Sequence, residues 1–180
     1  LYLTDPVDEI LVQVLTDFQD KKLQSAAKGE VDLGSEEERQ EKKKELDEKA
    51  KDFGPLMQKL QELLDDRVKE VRLSTRLTDS PACLVGGEED VSPRLEKLLR
   101  QQGDIPPQRR ILELNPAHDV VTALKARYDV NENSESVPEY AELLYGYALL
   151  AEGTELPDPA KFATRFAELM RRGLGVSGGD

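Results

Sequence analysis

The stretch Arg76–Leu99, RLTDSPACLVGGEEDVSPRLEKLL, holds the only cysteine of the 180-residue chain, Cys83, beside a Thr78-Asp79-Ser80 triplet and a run with helical spacing. It can be read as a nucleophile loop, as a redox site, or as strands that deliver the chain to an exposed helix. The residues around it decide. Val71, Leu73, Thr75 and Leu77 alternate with Arg72, Ser74 and Arg76, the period-two pattern of a half-buried strand. TDSP is a turn composition. ACLV is a short apolar strand that Gly86-Gly87 ends, and ILEL at 111–114 is a third strand. The paired strands of a small sheet are therefore expected here, with Ser92-Pro93 starting an amphipathic helix. The whole is an α+β fold, helices around a small three-stranded sheet.

Working outward, LYL reads as a strand and TDPVDEILVQVLTDF as a helix, with Val7, Ile10, Leu11, Val14, Leu15 and Phe18 on one stripe. KKLQSAA returns as a strand, which gives a β-α-β piece over 1–34. Ser35 and Glu38 form a capping box for a highly charged helix. Gly54-Pro55 is expected to break or kink it. Leu56, Leu60, Leu63 and Leu64 then restore an apolar face. NPAHDVVTALKARY starts a further helix, with Asn115 as cap and Pro116 in its first turn. Two more helices follow the polar loop at 131–136, and the tail GVSGGD at 175–180 is expected to be disordered.

The formal charge of −12 argues against nucleic acid as a partner, because phosphate binding needs a basic face. The run Arg94–Arg110 is locally basic but lacks interleaved aromatics to stack bases. A single cysteine excludes an internal disulfide and fits a reducing compartment. No apolar run approaches the roughly 18 residues of a membrane span, and no signal-peptide pattern is present, so a cytosolic protein is expected. The chain opens without Met and is expected to be a piece of a longer polypeptide. Ser80 lacks the G-x-S-x-G frame of a nucleophile elbow. Cys83 lies in an apolar run, where burial raises a thiol pKa, and His118 sits at a helix start, a poor place to hold a proton. Neither a metal-ligand spacing nor a phosphate-cradling glycine loop is visible.

The segments VKEVRLSTRLTDSPACLV, DVSPRLEKLLRQQG, ILELNPAHDVV and YAELLYGYALLAEG, in that order and spacing, resemble the carboxy-terminal domain of heat-shock protein 90 chaperones. The likeness is closest to the bacterial HtpG branch and runs from about Glu36 to Leu174. The opening 34 residues resemble the end of that family's middle domain. The resemblance implies an ATP-driven chaperone whose nucleotide and magnesium site, and whose catalytic arginine, lie upstream of Leu1. This chain would then be no enzyme and hold no cofactor itself. Its ending, GVSGGD, matches neither the co-chaperone-docking nor the retention signal of eukaryotic members, which fits a bacterial cytosolic protein.

Two surfaces follow. Val91, Leu95, Leu98 and Leu99 recur at helical spacing, and the resemblance makes this stripe a contact for unfolded or partly folded client proteins. Tyr140, Leu143, Leu144, Tyr147 and Leu150 on one helix, with Phe162, Phe166, Leu169 and Met170 on the next, form stripes that two helices alone cannot cover. By spacing alone both helices could instead pack on their own sheet. Pairing with a second copy would close a four-helix bundle, and the resemblance, which places the family's dimer contact on these helices, makes 35–174 the expected homodimerisation domain. The alternatives are a purely structural dimerisation domain without a client surface, and an enzyme using Cys83 or Ser80.

Overall fold

The computed structural model describes residues 36–74, 76–87, 90 and 108–175, together with Leu15, Asp17–Phe18 and Lys21–Lys22. The chain divides into two compact units, Leu1–Gly34 with Val85–Gln108, and Ser35–Leu84 with Arg109–Asp180.

In the first unit, β1 (Asp17–Phe18) pairs antiparallel with β2 (Lys21–Lys22), Phe18 opposite Lys21. The helix expected to continue through Phe18 is therefore absent at its end, and Leu15 belongs to no regular element. Val12, Val14 and Thr16 are β-branched and stiff in a helix. Two residues separate Phe18 from Lys21, the commonest hairpin spacing.

The second unit is built on α1 (Glu36–Leu63), β3 (Val68–Leu73), β4 (Ala82–Val85), β5 (Arg110–Leu114), α2 (Asp119–Val130), α3 (Ser136–Glu152) and α4 (Pro159–Gly173). The α+β expectation holds, with four helices and a mixed three-stranded sheet among the described residues. The strand order is β3-β5-β4, so the strands flanking the Thr78-Asp79-Ser80 turn do not pair with each other. β5 lies between them and runs parallel to β3, with Val71 opposite Leu112 and Leu73 opposite Leu114. Its composition explains the central place. All five residues of RILEL are buried, the pattern of a strand covered on both faces.

Several local expectations are corrected. The strand VKEVRLSTRL ends at Leu73 rather than Leu77, although the Ser74 N–H still donates to the Leu114 carbonyl at 2.8 Å. The break at Gly54-Pro55 is absent, and α1 runs on with Pro55 inside. Pro55 removes one helical hydrogen bond, but Phe53 and Leu56 on either side of it are buried in the same core. The cap of α2 is His118, not Asn115. Asn115 is 2% exposed, and its side chain is used elsewhere. Its Nδ2 donates to the Thr78 carbonyl at 3.0 Å and the Ser80 carbonyl at 3.2 Å, while its Oδ1 accepts from the Ala117 N–H. One buried amide thus holds the turn of the quoted stretch against the end of β5.

The core lies between α1, the sheet, α2 and α3. Phe53, Leu56, Leu60 and Leu64 meet Val68, Val71, Leu112 and Leu114, and Val121, Leu124, Val137, Ala141, Leu144 and Ala148 close it. Each Leu or Val fully buried there stabilises the fold by about 1.5–3 kcal/mol before ordering costs. α4 takes no part, since none of its residues is buried. Among the described residues no helix is long and apolar enough to cross a membrane.

Candidate functional site

The residues weighed for chemistry have other employment. His118 accepts the Val120 N–H on Nδ1 at 3.1 Å, as an N-cap. Ser80 Oγ accepts from the Tyr147 hydroxyl at 3.3 Å. Cys83 is partly buried on β4, with Sγ 3.8 Å from Glu113 Oε2 and 3.6 Å from an Arg76 nitrogen. Burial first, then the Glu113 charge, pushes its thiol up against the pull of Arg76. A raised thiol is a weaker nucleophile at neutral pH. Among the described residues no group of three or more His, Cys, Asp and Glu could hold a metal ion.

Glu113 is the centre of that sheet face. Its side chain is 5% exposed. Oε1 accepts from Arg72 at 2.7 and 3.1 Å, and Oε2 accepts from Arg76 and Ser74, each at 3.1 Å. Burial pushes this carboxyl up, but the hydrogen bonds from Arg72 and Arg76 outweigh it and hold it below the usual range. A charge at the middle of a buried strand is tolerated because both oxygens are bonded to donors. Arg110 on the same strand is answered in the same way, by Glu152 of α3 at 3.2 Å.

The other candidate surface is made by α3 and α4. Gly153 ends α3 in the left-handed region, φ +79°, and its N–H reaches the Leu149 and Leu150 carbonyls. Asp158 caps α4 by accepting from the Lys161 N–H at 2.9 Å, and Pro159 occupies the first turn. The short link folds α4 back on α3. Gly146 permits the contact, because a Cβ there would stand 2.5 Å from a Phe162 ring carbon. The Phe162 ring in turn stacks on Phe166, centroids 6.3 Å apart.

The expected dimer residues divide between two environments. Leu144 is 4% exposed and belongs to the core of its own chain, Leu143 is buried at 8%, and Tyr140 packs against the core. Tyr147, Leu150, Phe166 and Met170 are exposed at 38%, 51%, 47% and 49%. Phe162 and Leu169 are intermediate. Two helices thus present an uncovered apolar face, which is the kind of surface that marks an interaction site. The expected client stripe, Val91, Leu95, Leu98 and Leu99, lies outside the described residues.

Behind this face is a charged tie that periodicity does not reveal. Arg67, at the α1–β3 corner, grips Glu142 of α3 with two hydrogen bonds of 2.7 and 2.9 Å. Arg165 of α4 reaches the same carboxylate at 3.2 Å. Hydrogen bonding from Arg67 holds Glu142 below the usual carboxylate range despite partial burial. Arg67 also stacks over the Tyr145 ring, 5.3 Å from its centroid, and donates to the Leu63 carbonyl. Further along, Arg172 of α4 meets Glu139 of α3 at 2.8 Å.

The chain also resembles known proteins in sequence along its length. The family model for the Hsp90 protein matches residues 1–180. A relative from Mycolicibacterium paratuberculosis, named Chaperone protein HtpG, is 53% identical over 175 residues, covering 97% of this chain and 27% of its own length. Proteins of the same name from Rhodococcus jostii and Frankia casuarinae are each 50% identical, over 173 and 175 residues. The chain spans 27% of the length of each of these relatives. A family match over every residue, with half-identity to three such proteins, leaves one conclusion: this chain belongs to the Hsp90 family.

Proposed function

We propose that this chain is the dimerisation and client-contact region of an ATP-dependent molecular chaperone, with domain 35–174 as the carboxy-terminal dimerisation domain and 1–34 as the end of a middle domain. The observation that carries the dimer is the uncovered face of α4. Phe166, Met170 and, across on α3, Leu150 are about half exposed, and no residue of α4 is buried in the protomer. Covering such a face on a second copy stabilises the pair at roughly 25 cal/mol per Å² of apolar area, before association costs. A two-fold pairing of both helices makes the four-helix bundle.

Replacing Phe166 and Met170 together by Glu should convert a dimer into monomers by light scattering, with the sheet still folded by circular dichroism. A wild-type chain that is monomeric at tens of micromolar would sink the dimer reading.

Client contact is assigned to Val91, Leu95, Leu98 and Leu99, supported by their spacing and by family membership. Leu95→Ser with Leu98→Ser should reduce capture of an unfolded client, scored as suppression of its aggregation, and leave dimerisation unchanged. Global unfolding by these changes would make the helix core and remove the client role.

ATP and magnesium chemistry belongs, on this reading, to the parts of the protein outside this chain. On this reading the chain works in the cytoplasm, as its likeness to bacterial HtpG proteins suggests, and the charge of −12 disfavours a nucleic-acid partner.

A further inference from the structure

We infer that Glu142 is a positioning residue for the α3–α4 surface: by tying Arg165 of α4 to Arg67 at the α1–β3 corner, it fixes where the apolar face of α4 points. The geometry carries this. No residue of α4 is buried in the core, so only the partial burial of Phe162 and Leu169 helps to hold it in place. Beyond this it has the seat of Phe162 on Gly146 and the ion pairs Arg165–Glu142 and Arg172–Glu139 to α3.

Those two ion pairs are not equivalent. Arg172 is 51% exposed, and it shares its charge with the nearby Glu168. Surface pairs of that kind contribute little. Glu142 and its two arginines are each only about a quarter exposed, at 25%, 25% and 27%. Arg67 already holds the carboxylate in a two-pronged grip, with its own plane set by the Tyr145 ring and the Leu63 carbonyl. The carboxylate that Arg165 meets is therefore fixed in direction before α4 arrives, and little rotamer freedom is lost in making the contact. Lys161, one turn earlier on α4, adds attraction to the same carboxylate.

A fifteen-residue helix that loses such a dock is marginal in water. Undocking of α4 should therefore register as its melting, and the dimer face would go with it. The importance of this for assembly rests on the dimer reading; the docking itself does not.

The test uses the 180-residue chain, made monomeric by Met170→Glu, or by Leu150→Glu should the first fail to fold. Amide exchange is followed in α4 and in β5. Arg165→Gln, which leaves the Arg67–Glu142 grip intact, should speed α4 exchange about tenfold and leave β5 unchanged, whereas Arg165→Lys should retain most of the protection. Glu142→Gln should do the same to α4, and the double variant should be no faster than Glu142→Gln alone, because both changes break one tie. In the wild-type background Arg165→Gln should weaken the dimer about tenfold. Unchanged α4 exchange, additive effects, or an equal rise in β5 would each overturn the inference. A wild-type monomer would remove the dimer reading and leave the exchange comparison to decide on Glu142 by itself.

Discussion

Replacing Glu113 by Ala should destabilise the second unit by about 3 kcal/mol, read as a lower urea midpoint at unchanged m-value. The change removes the carboxylate that Arg72 and Arg76 share and that satisfies the Ser74 hydroxyl. Both guanidinium groups then lose the buried partner they share. Each is about one third exposed and can turn partly toward water, which keeps the loss below that of a fully buried pair. Position matters as much as charge. Glu113 faces Arg72 across the β3–β5 pair and sits on the central strand, so its loss loosens the ladder from the inside.

The pH dependence has a definite sign. The carboxyl is held below its ordinary value in the folded state. Its contribution is therefore complete above the unfolded value and is lost as pH falls through the depressed folded value. Glu113→Gln should flatten that acid limb and leave stability nearly independent of this group. An acid limb identical to that of the wild type would mean that other carboxylates carry it.

Leu144→Ala should cost about 3 kcal/mol in the unfolding of a Met170→Glu monomer, while Leu150→Ala in the same background changes stability by less than about 0.5 kcal/mol. The two leucines lie six positions apart on α3, yet one is 4% exposed and the other 51%. Leu144 fills space among the α1 and sheet side chains, so its truncation leaves a cavity. Leu150 lies on the uncovered face, where truncation leaves none. Equal effects of the two changes would mean that α3 does not divide its faces between the core and the outer surface.

The elements were legible where a local period wrote them. The alternation at Val71–Leu73, the apolar run ACLV and the stripe of α3 each need only their own neighbours to be recognised. Strand order was not legible in the same way. Pairing β3 with β5 is a contact between segments far apart in sequence, and it follows from the complete burial of RILEL, which no single strand announces. The cap of α2 was misplaced for a related reason. Asn115 is a good capping residue by type, but the turn at Thr78–Ser80 claims its amide first. On the α3–α4 surface, the apolar residues were visible by spacing, but their division between core and exterior was not, because the stripe is wider than either face alone. Glu142 was invisible, since its partner Arg67 stands 75 residues away and neither residue breaks a pattern.

The place of β5 between β3 and β4 also bears on how the chain is made. A ribosome delivers Val68–Leu73 and Ala82–Val85 well before Arg110–Leu114. Until that last strand emerges, both earlier ones lack the neighbour they will keep, and hairpin closure between them gives a non-native pair. At about 5–20 residues per second, the nascent chain holds these apolar segments unpaired for seconds. The sheet thus cannot close before RILEL is translated, and slow codons just before Arg110 would lengthen the interval in which a newborn chain is open to aggregation.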